Sequence, residues 1–146
     1  MELLIGEHLH SLEDKKRVSL PKQFRSALGK KVVMTRGLDN CLVIFSPKAW
    51  EKMAQRLQAL SFVNPDTRGF SRFMLSGAAE VEVDSAGRLL IPDHQKAYAG
   101  LKKEVVFAGI SDRVEVWDKA RWAAYKSRIE QDAEAMAAKL GEIGAL

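Results

Sequence analysis

The chain has 146 residues, 47% of them hydrophobic and 29% charged, which is typical of one globular domain or two very small ones that share a core. It has no apolar run long enough to span a bilayer, no signal-peptide pattern at its start, and a single cysteine, so we expect a cytoplasmic protein without disulfides. The formal net charge of +4 is unevenly distributed, because residues 1–60 carry 11 basic and 6 acidic side chains. The segment from Lys15 to Arg36 contains no acid, which favours either a polyanion-binding surface or a solvated basic face.

The first third of the chain predicts a small β-rich unit. Arg17–Leu20 is a predicted strand, and Pro21–Leu28 is a predicted short helix that ends at Gly29. Two further strands are predicted at Val32–Thr35 and Cys41–Phe45, on either side of a glycine-containing turn.

Two helices are predicted to follow this unit. Ser46-Pro47 is an N-cap followed by proline at the first helical position, and the apolar residues within 50–60 then share one face. Asn64-Pro65 predicts the start of a second helix, which carries Phe70, Phe73 and Met74.

The second half of the chain repeats the same order of elements. Glu80–Asp84 alternates apolar and polar residues and predicts a strand, and the Asp-Ser-Ala-Gly sequence after it is typical of a turn. Arg88–Ile91 predicts the next strand, and Pro92–Ala99 a short helix. Val105–Phe107 and Val114–Trp117 predict the last two strands.

A long C-terminal helix is predicted to begin after Asp118. Trp122 and Ile129 lie on its apolar side, and we expect this first part to pack on the β core of the same chain. For Met136 and Leu140, the sequence equally favours packing on the same chain or on a neighbouring subunit.

A repeat relates the two halves. Arg17–Pro21 reappears as Arg88–Pro92 at an offset of 71 residues, and Lys31–Gly37 reappears as Lys103–Gly109 at an offset of 72. We therefore divide the chain into residues 1–60 and 61–146. Because four short strands cannot bury their own apolar face, the two copies are expected to interleave into one barrel-like core with a pseudo-twofold axis.

This symmetry would bring two turns, residues 13–17 and 84–88, to equivalent places on one surface. Each turn is followed by an arginine, Arg17 or Arg88, whose planar guanidinium suits bidentate contacts with guanine or phosphate. A pair of such turns predicts a DNA-docking edge, since β-ribbons can enter or straddle the major groove.

Several segments resemble the MraZ family over nearly the whole chain. They are Asn64-Pro65, Ala79-Glu80, Asp84, Gly87–Ile91, Gly100–Val105, Gly109 and Glu115–Trp117. The resemblance implies an α+β, mainly β fold made of two interleaved AbrB-like swapped-hairpin motifs with flanking helices. It also implies a nucleoid-associated transcriptional regulator that binds direct repeats in double-stranded DNA upstream of cell-division and cell-wall genes, and that forms a ring-shaped homo-oligomer.

The family's motif in each half is Asp-x-x-x-Arg, usually with glycine before the arginine. The second copy matches it fully at Asp84, Gly87 and Arg88, whereas the first copy has Glu13 and Lys16 at the corresponding places. The resemblance therefore predicts a different backbone conformation in the first turn.

The two turns and the basic segment beside them contain two sets of predicted site residues. The turn-shaping residues are Glu13, Asp84 and Gly87, and the predicted DNA contacts are Lys15, Lys16, Arg17, Lys22, Arg25 and Arg88. We predict no enzyme, cofactor or metal site, because catalytic and phosphate-loop motifs are absent from the sequence and His8 and His10 alone make too few ligands.

Two other functions are compatible with this fold and charge. One is an AbrB-like antitoxin whose C-terminal helix binds a partner protein, although ordered helices and the repeat within one chain argue against it. The other is a structural oligomer that binds nucleic acid only through its charge. A preference for one DNA sequence over another would exclude this second function.

Overall fold

The computed structural model describes residues 3–14 and 16–146, which form eight strands and five α-helices. The first half contains, in order, β1 (Leu4–Ser11), β2 (Arg17–Ser19), α1 (Lys22–Leu28), β3 (Lys31–Arg36), β4 (Leu42–Phe45) and α2 (Pro47–Gln58). After α3 (Pro65–Ser71) and a π-helical turn at Arg72–Ser76, the second half contains β5 (Ala79–Glu82), β6 (Arg88–Leu90), α4 (Asp93–Ala99), β7 (Glu104–Ser111), β8 (Val114–Asp118) and α5 (Lys119–Glu142).

The two halves exchange strands. The larger sheet has the order β1-β7-β8-β4-β3-β5, so that the first strand of each half pairs with the third strand of the other half. The second strands of the two halves, β2 and β6, form a separate two-stranded sheet. This arrangement confirms the predicted interleaved, swapped-hairpin fold, but the sheet is open, with β1 and β5 at its edges, rather than closed into a barrel.

The strand register confirms the pseudo-twofold relation. Val18 pairs with Leu89 in the small sheet, and these two residues occupy the same position in the two copies. One part of the predicted alignment is shifted by one residue. Val33 pairs with Phe45 in the first copy and Val106 pairs with Trp117 in the second, which relates β3 to β7 at an offset of 73 rather than 72.

One hydrophobic core holds the halves together. Both halves of the chain contribute to this core. Its fully buried side chains come from α1 and β3 of the first half and from β6 and β7 of the second half, among other elements. The largest of them are Phe24 of α1 and Phe107 of β7, both 0% exposed. Because neither half supplies a complete core, burial of apolar surface requires both halves at once.

The helix starts follow the sequence closely. Ser46, Asn64 and Asp118 each accept a hydrogen bond from a backbone N–H in the first turn of α2, α3 and α5, which confirms the predicted N-caps. Pro21 and Pro92 differ slightly from expectation, since each occupies the cap position one residue before its helix.

The first part of α5 packs on the same chain, as predicted. The ring of Trp117 lies 5.4 Å from Trp122 and 4.9 Å from Tyr125, and the indole N–H of Trp122 donates to Glu7 of β1 at 3.2 Å. From residue 130 onward every residue of α5 is exposed. Among residues 3–14 and 16–146, no helix is both long and apolar enough to cross a membrane.

Candidate nucleic-acid interface

The two-stranded sheet β2–β6 presents both predicted arginines on one face. Arg17 pairs with Leu90 and Arg88 pairs with Ser19, so these four residues point to the same side of the ribbon. Val18 and Leu89 point to the other side and are 0% exposed. The hydrophobic alternation of the ribbon therefore fixes which face is presented to solvent. We call the outward side, together with the turns at residues 13–17 and 84–88, the docking face.

The second turn is closed by the carboxylate of Asp84. One oxygen, Oδ1, accepts hydrogen bonds from the backbone N–H groups of Ala86 and Arg88, both at 2.9 Å. The other oxygen, Oδ2, accepts from Nε of Arg88 at 3.1 Å. Gly87 has a φ of +80°, which places it in the left-handed region that favours glycine. The structure thus places the predicted turn-shaping residues Asp84 and Gly87 in one hydrogen-bonded turn.

The first turn has a different construction. The backbone N–H of Arg17 donates to the main-chain carbonyl of Glu13 at 2.9 Å, where the corresponding N–H of the second turn bonds to a carboxylate. Asp14, with a φ of +48°, adopts a left-handed conformation in this turn, whereas in the second turn the left-handed residue is Gly87. The predicted difference in backbone conformation is confirmed. Lys15 lies outside the described residues.

Glu13 reaches across to the other turn. Its Oε2 lies 3.2 Å from Nη1 of Arg88, while Asp84 binds Nε of the same guanidinium. Contact with Glu13 and then with Asp84 raises the pKa of Arg88 above its ordinary value. The backbone N–H of Arg88 and its guanidinium in turn lower the pKa of Asp84. Arg88 is therefore held by two carboxylates, one from each copy.

Arg17 is in a contrasting environment. It is exposed, and among residues 3–14 and 16–146 its guanidinium has no ion-pair or hydrogen-bond partner. The two arginines, although equivalent in the repeat, differ in their contacts.

Arg25 belongs to α1 of the first copy but supports the turn of the second. Its Nε donates to the carbonyl of Leu20 at 2.8 Å, and its guanidinium lies against Gly87, where any Cβ would overlap it. Because Gly87 has no side chain, the guanidinium of Arg25 can lie in direct contact with the second turn. The structure brings this predicted residue into the docking face.

Lys16 and Lys22 are the remaining predicted basic residues in the described part of the chain. Lys16 forms an exposed ion pair with Asp93, at 3.2 Å between Nζ and Oδ1. Lys22 is exposed at the start of α1, where the second copy has Asp93 at the start of α4. The first copy is thus the more basic of the two at equivalent positions.

Other chemistry is poorly represented in the described part of the chain. His8 and His10 of β1 are half-buried, and their rings contact Phe24 and Phe107 edge-on. Burial, with His8 and Arg25 nearby, lowers the pKa of His10, and no group of three potential metal ligands occurs among these residues. Burial also raises the pKa of Cys41, which keeps its thiol protonated and unsuited to nucleophilic catalysis.

Comparison with known proteins decides the family. A family model described as MraZ protein, antitoxin-like, matches residues 3–73 and again residues 74–141. The chain belongs to the MraZ family. A relative named "Transcriptional regulator MraZ" from Acetivibrio thermocellus is 46% identical over 142 residues, which cover 97% of this chain and 99% of the relative. A relative of the same name from Moorella thermoacetica is 44% identical over 138 residues, covering 94% of this chain and 96% of the relative. The predicted family is therefore confirmed, and these relatives bear the name of transcriptional regulators rather than of enzymes.

Proposed function

We propose that this protein is a sequence-specific transcriptional regulator that binds double-stranded DNA through the docking face. The observation that carries the proposal is the position of Arg17 and Arg88, which lie on the solvent side of one narrow β-ribbon at equivalent points of the repeat. A two-stranded ribbon fits the major groove, and arginine is the side chain that most often donates to guanine there. The names of the relatives support a role in transcription.

Lys15, Lys16, Lys22 and Arg25 would contact phosphates beside the ribbon. Lysine and arginine contacts with phosphate release counterions, so each one contributes about one unit to the slope of log affinity against log salt. Replacing Lys15 and Lys16 together with alanine should weaken binding to all DNA sequences and flatten this slope. A slope equal to that of the unchanged protein would mean that neither lysine contacts phosphate.

The decisive experiment is selection of genomic DNA fragments by the purified protein. We expect enrichment of fragments with direct repeats upstream of cell-division and cell-wall genes, and loss of the enrichment in an Arg17→Ala/Arg88→Ala double variant that keeps its melting temperature. Equal binding of all fragments would favour a structural oligomer that meets nucleic acid through charge alone, and would contradict the proposal.

We also propose that the protein acts as a closed homo-oligomer in the nucleoid. Apolar side chains are exposed near the end of α5, where Met136 is 40% and Leu140 43% exposed, and again at Phe62 and Val63 before α3. Head-to-tail contacts between such surfaces would close a ring, and a ring would present several docking faces to direct repeats. Linked faces can raise avidity by about 10²–10⁴ over one face.

Light scattering at micromolar concentration tests the assembly. We expect a particle larger than a dimer, and a steep rise in affinity when a second repeat is added at the same spacing. A monomer, or equal affinity for one repeat and for two, would contradict the ring.

The description of the family model also mentions an antitoxin-like role, which is a second candidate function. Its structural support is the exposed second part of α5, which could bind a partner protein. Removal of residues 131–146 distinguishes the two roles. Loss of binding to a partner protein, with particle size and DNA selection unchanged, would assign this segment to the partner rather than to the ring.

A further inference from the structure

We infer that the two equivalent arginines have different tasks on DNA: Arg88 reads bases, and Arg17 contacts phosphate without regard to sequence. The inference rests on the proposed DNA-binding function and assigns the recognition step to one half of the repeat. It follows from three features of the docking face, namely the orientation, the local charge and the freedom of each side chain.

Orientation separates the two side chains first. Nε of Arg88 is bound to Asp84 and Nη1 is bound to Glu13, at 3.1 and 3.2 Å, and 34% of the side chain is exposed. Among the described residues, these contacts leave the Nη2 group and the second hydrogen of Nη1 free to donate. Two parallel donors from a fixed guanidinium match the O6 and N7 acceptors of guanine in the major groove. A side chain that is already ordered loses less conformational entropy on binding.

Local charge gives the same distinction. The Arg88 guanidinium is bound by the carboxylates of Asp84 and Glu13, and the guanidinium of Arg25 lies against Gly87 in the same turn, so that these four side chains together are close to neutral. The charge of Arg88 is thus neutralised within the protein, which leaves it little attraction for phosphate. Arg88 would therefore contact DNA through directional hydrogen bonds rather than through attraction between charges.

Arg17 has the opposite properties. Its guanidinium is exposed and without an ion-pair partner among residues 3–14 and 16–146, so its full positive charge is available. Within this described part of the chain no carboxylate fixes its orientation, which suits contact with phosphates at variable positions but not with one base edge. A pseudo-symmetric chain would thus approach DNA asymmetrically.

Glu13 is the positioning residue in this arrangement. It occupies the place of Asp84 in the first turn, but its longer side chain binds the arginine of the other turn. It therefore orders Arg88 and leaves Arg17 unrestrained. Its own effect on DNA binding would be exerted through Arg88.

The test compares lysine variants of the two arginines, because lysine keeps the charge but cannot form the planar two-donor contact. Binding is measured to the DNA fragment that the purified protein selects and to a scrambled duplex of equal length. For Arg88→Lys we expect selected-fragment affinity to fall about 10- to 100-fold while scrambled-duplex affinity stays unchanged. For Arg17→Lys we expect both affinities to remain within about threefold of the unchanged protein.

Alanine variants supply the complementary measurement. Arg17→Ala should weaken both duplexes by the same factor and lower the salt slope by about one unit, whereas Arg88→Ala should leave the slope for the scrambled duplex unchanged. Lys48→Ala, on α2 outside the docking face, is the control for loss of one positive charge. Equal loss of sequence preference in the two lysine variants, or equal changes of slope in the two alanine variants, would overturn the inference.

A second pair of variants tests the role of Glu13. Glu13→Gln removes the charge that restrains Arg88, and we expect tighter binding to the scrambled duplex, a steeper salt slope and a lower ratio of selected to scrambled affinity. Asp14→Asn makes the same charge change one residue away, without contact to Arg88, and should leave that ratio unchanged. An equal effect of the two substitutions on the ratio would contradict a positioning role for Glu13. Failure of the unchanged protein to select any fragment would instead refute the proposed function itself.

Discussion

The two turns of the docking face have carboxylate side chains that differ by one methylene group, Glu13 in the first and Asp84 in the second. This difference gives the two copies of the repeat different contacts. In the second turn, the short side chain of Asp84 folds back onto its own backbone and binds two N–H groups and Arg88. In the first turn, the longer Glu13 extends outward and binds the same Arg88. Both carboxylates therefore bind Arg88, and neither binds Arg17.

The comparison shows that sequence equivalence does not ensure functional equivalence. The strands that carry the turns are symmetric, since Val18 pairs with Leu89 and the pattern of hydrogen bonds is the same on either side. The difference arises only within the turns, in their side chains and in the backbone at Asp14. Variants of the turns should therefore change stability and binding by amounts that depend on which copy carries them.

The largest difference in stability is expected at the residue before each arginine. Gly87→Ala would place a Cβ at a φ of +80° and displace Arg25, which is anchored to the carbonyl of Leu20. We expect the free energy of unfolding to fall by about 1–3 kcal/mol. Lys16→Ala changes the equivalent position of the first turn, where a side chain already stands in place of glycine, and should cost less than about 0.5 kcal/mol. Chemical denaturation measures both, and equal losses would show that the turns do not differ in backbone conformation.

A smaller difference is expected between the two carboxylates. Asp84→Ala leaves the N–H groups of Ala86 and Arg88 without their acceptor, whereas Glu13→Ala removes only a contact at the surface. We expect the melting temperature to fall by a few degrees for the first and by less for the second. A larger fall for Glu13→Ala would mean that the cross-turn ion pair, rather than the backbone of the second turn, holds the docking face together.

The charge of Asp84 gives a dependence on pH. Its folded pKa is lowered, chiefly by the backbone N–H of Arg88, so its carboxylate stabilises the fold above the ordinary pKa of 3.8 and loses this effect as the pH falls through the folded value. Asp84→Asn retains an acceptor but has no charge to titrate. We expect the unchanged protein to be the more stable of the two at neutral pH, with the difference shrinking in acid. A difference that stays constant between pH 7 and pH 2 would contradict this origin.

The smallest effect on stability is expected when the first turn is given the residues of the second. In a Glu13→Asp/Lys16→Gly double variant, the shorter carboxylate can cap its own turn and bind Nε of Arg17. We expect little change in melting temperature, but slower hydrogen exchange of the Arg17 side-chain Nε–H and faster exchange of the Nη1 hydrogens of Arg88, which lose their contact with Glu13, measured by NMR. Unchanged exchange at both arginines would mean that factors outside the two substituted positions determine the pairing.

Much of this architecture could be predicted from the sequence, because it depends on local patterns. Alternating residues located the strands, and Ser46, Asn64 and Asp118 marked the helix starts. The open sheet and the shifted register of β3 could not be predicted, because strand closure and register depend on contacts between distant segments.

The contacts of the docking face were less accessible to sequence reasoning than the residues themselves. The motif located Arg17 and Arg88, but nothing in the sequence indicates that Glu13 binds the arginine of the other copy. Gln95 is a comparable case on α4. This polar residue is 0% exposed, and its amide donates to the carbonyls of Met34 and Gly77, a role that is visible only once the strands are paired.

The exchange of β1 with β7 also has a consequence for the synthesis of the protein. Ser11 pairs with Glu104 and Leu4 with Ser111, so the first strand emerges from the ribosome roughly a hundred residues before its partner. At about 5–20 residues per second, β1 would wait roughly 5–20 s as an unpaired strand with exposed backbone groups. Closing so long a loop is also a slow step, because its entropy cost precedes any gain from pairing. The same exchange that unites the two halves therefore delays folding until translation is nearly complete.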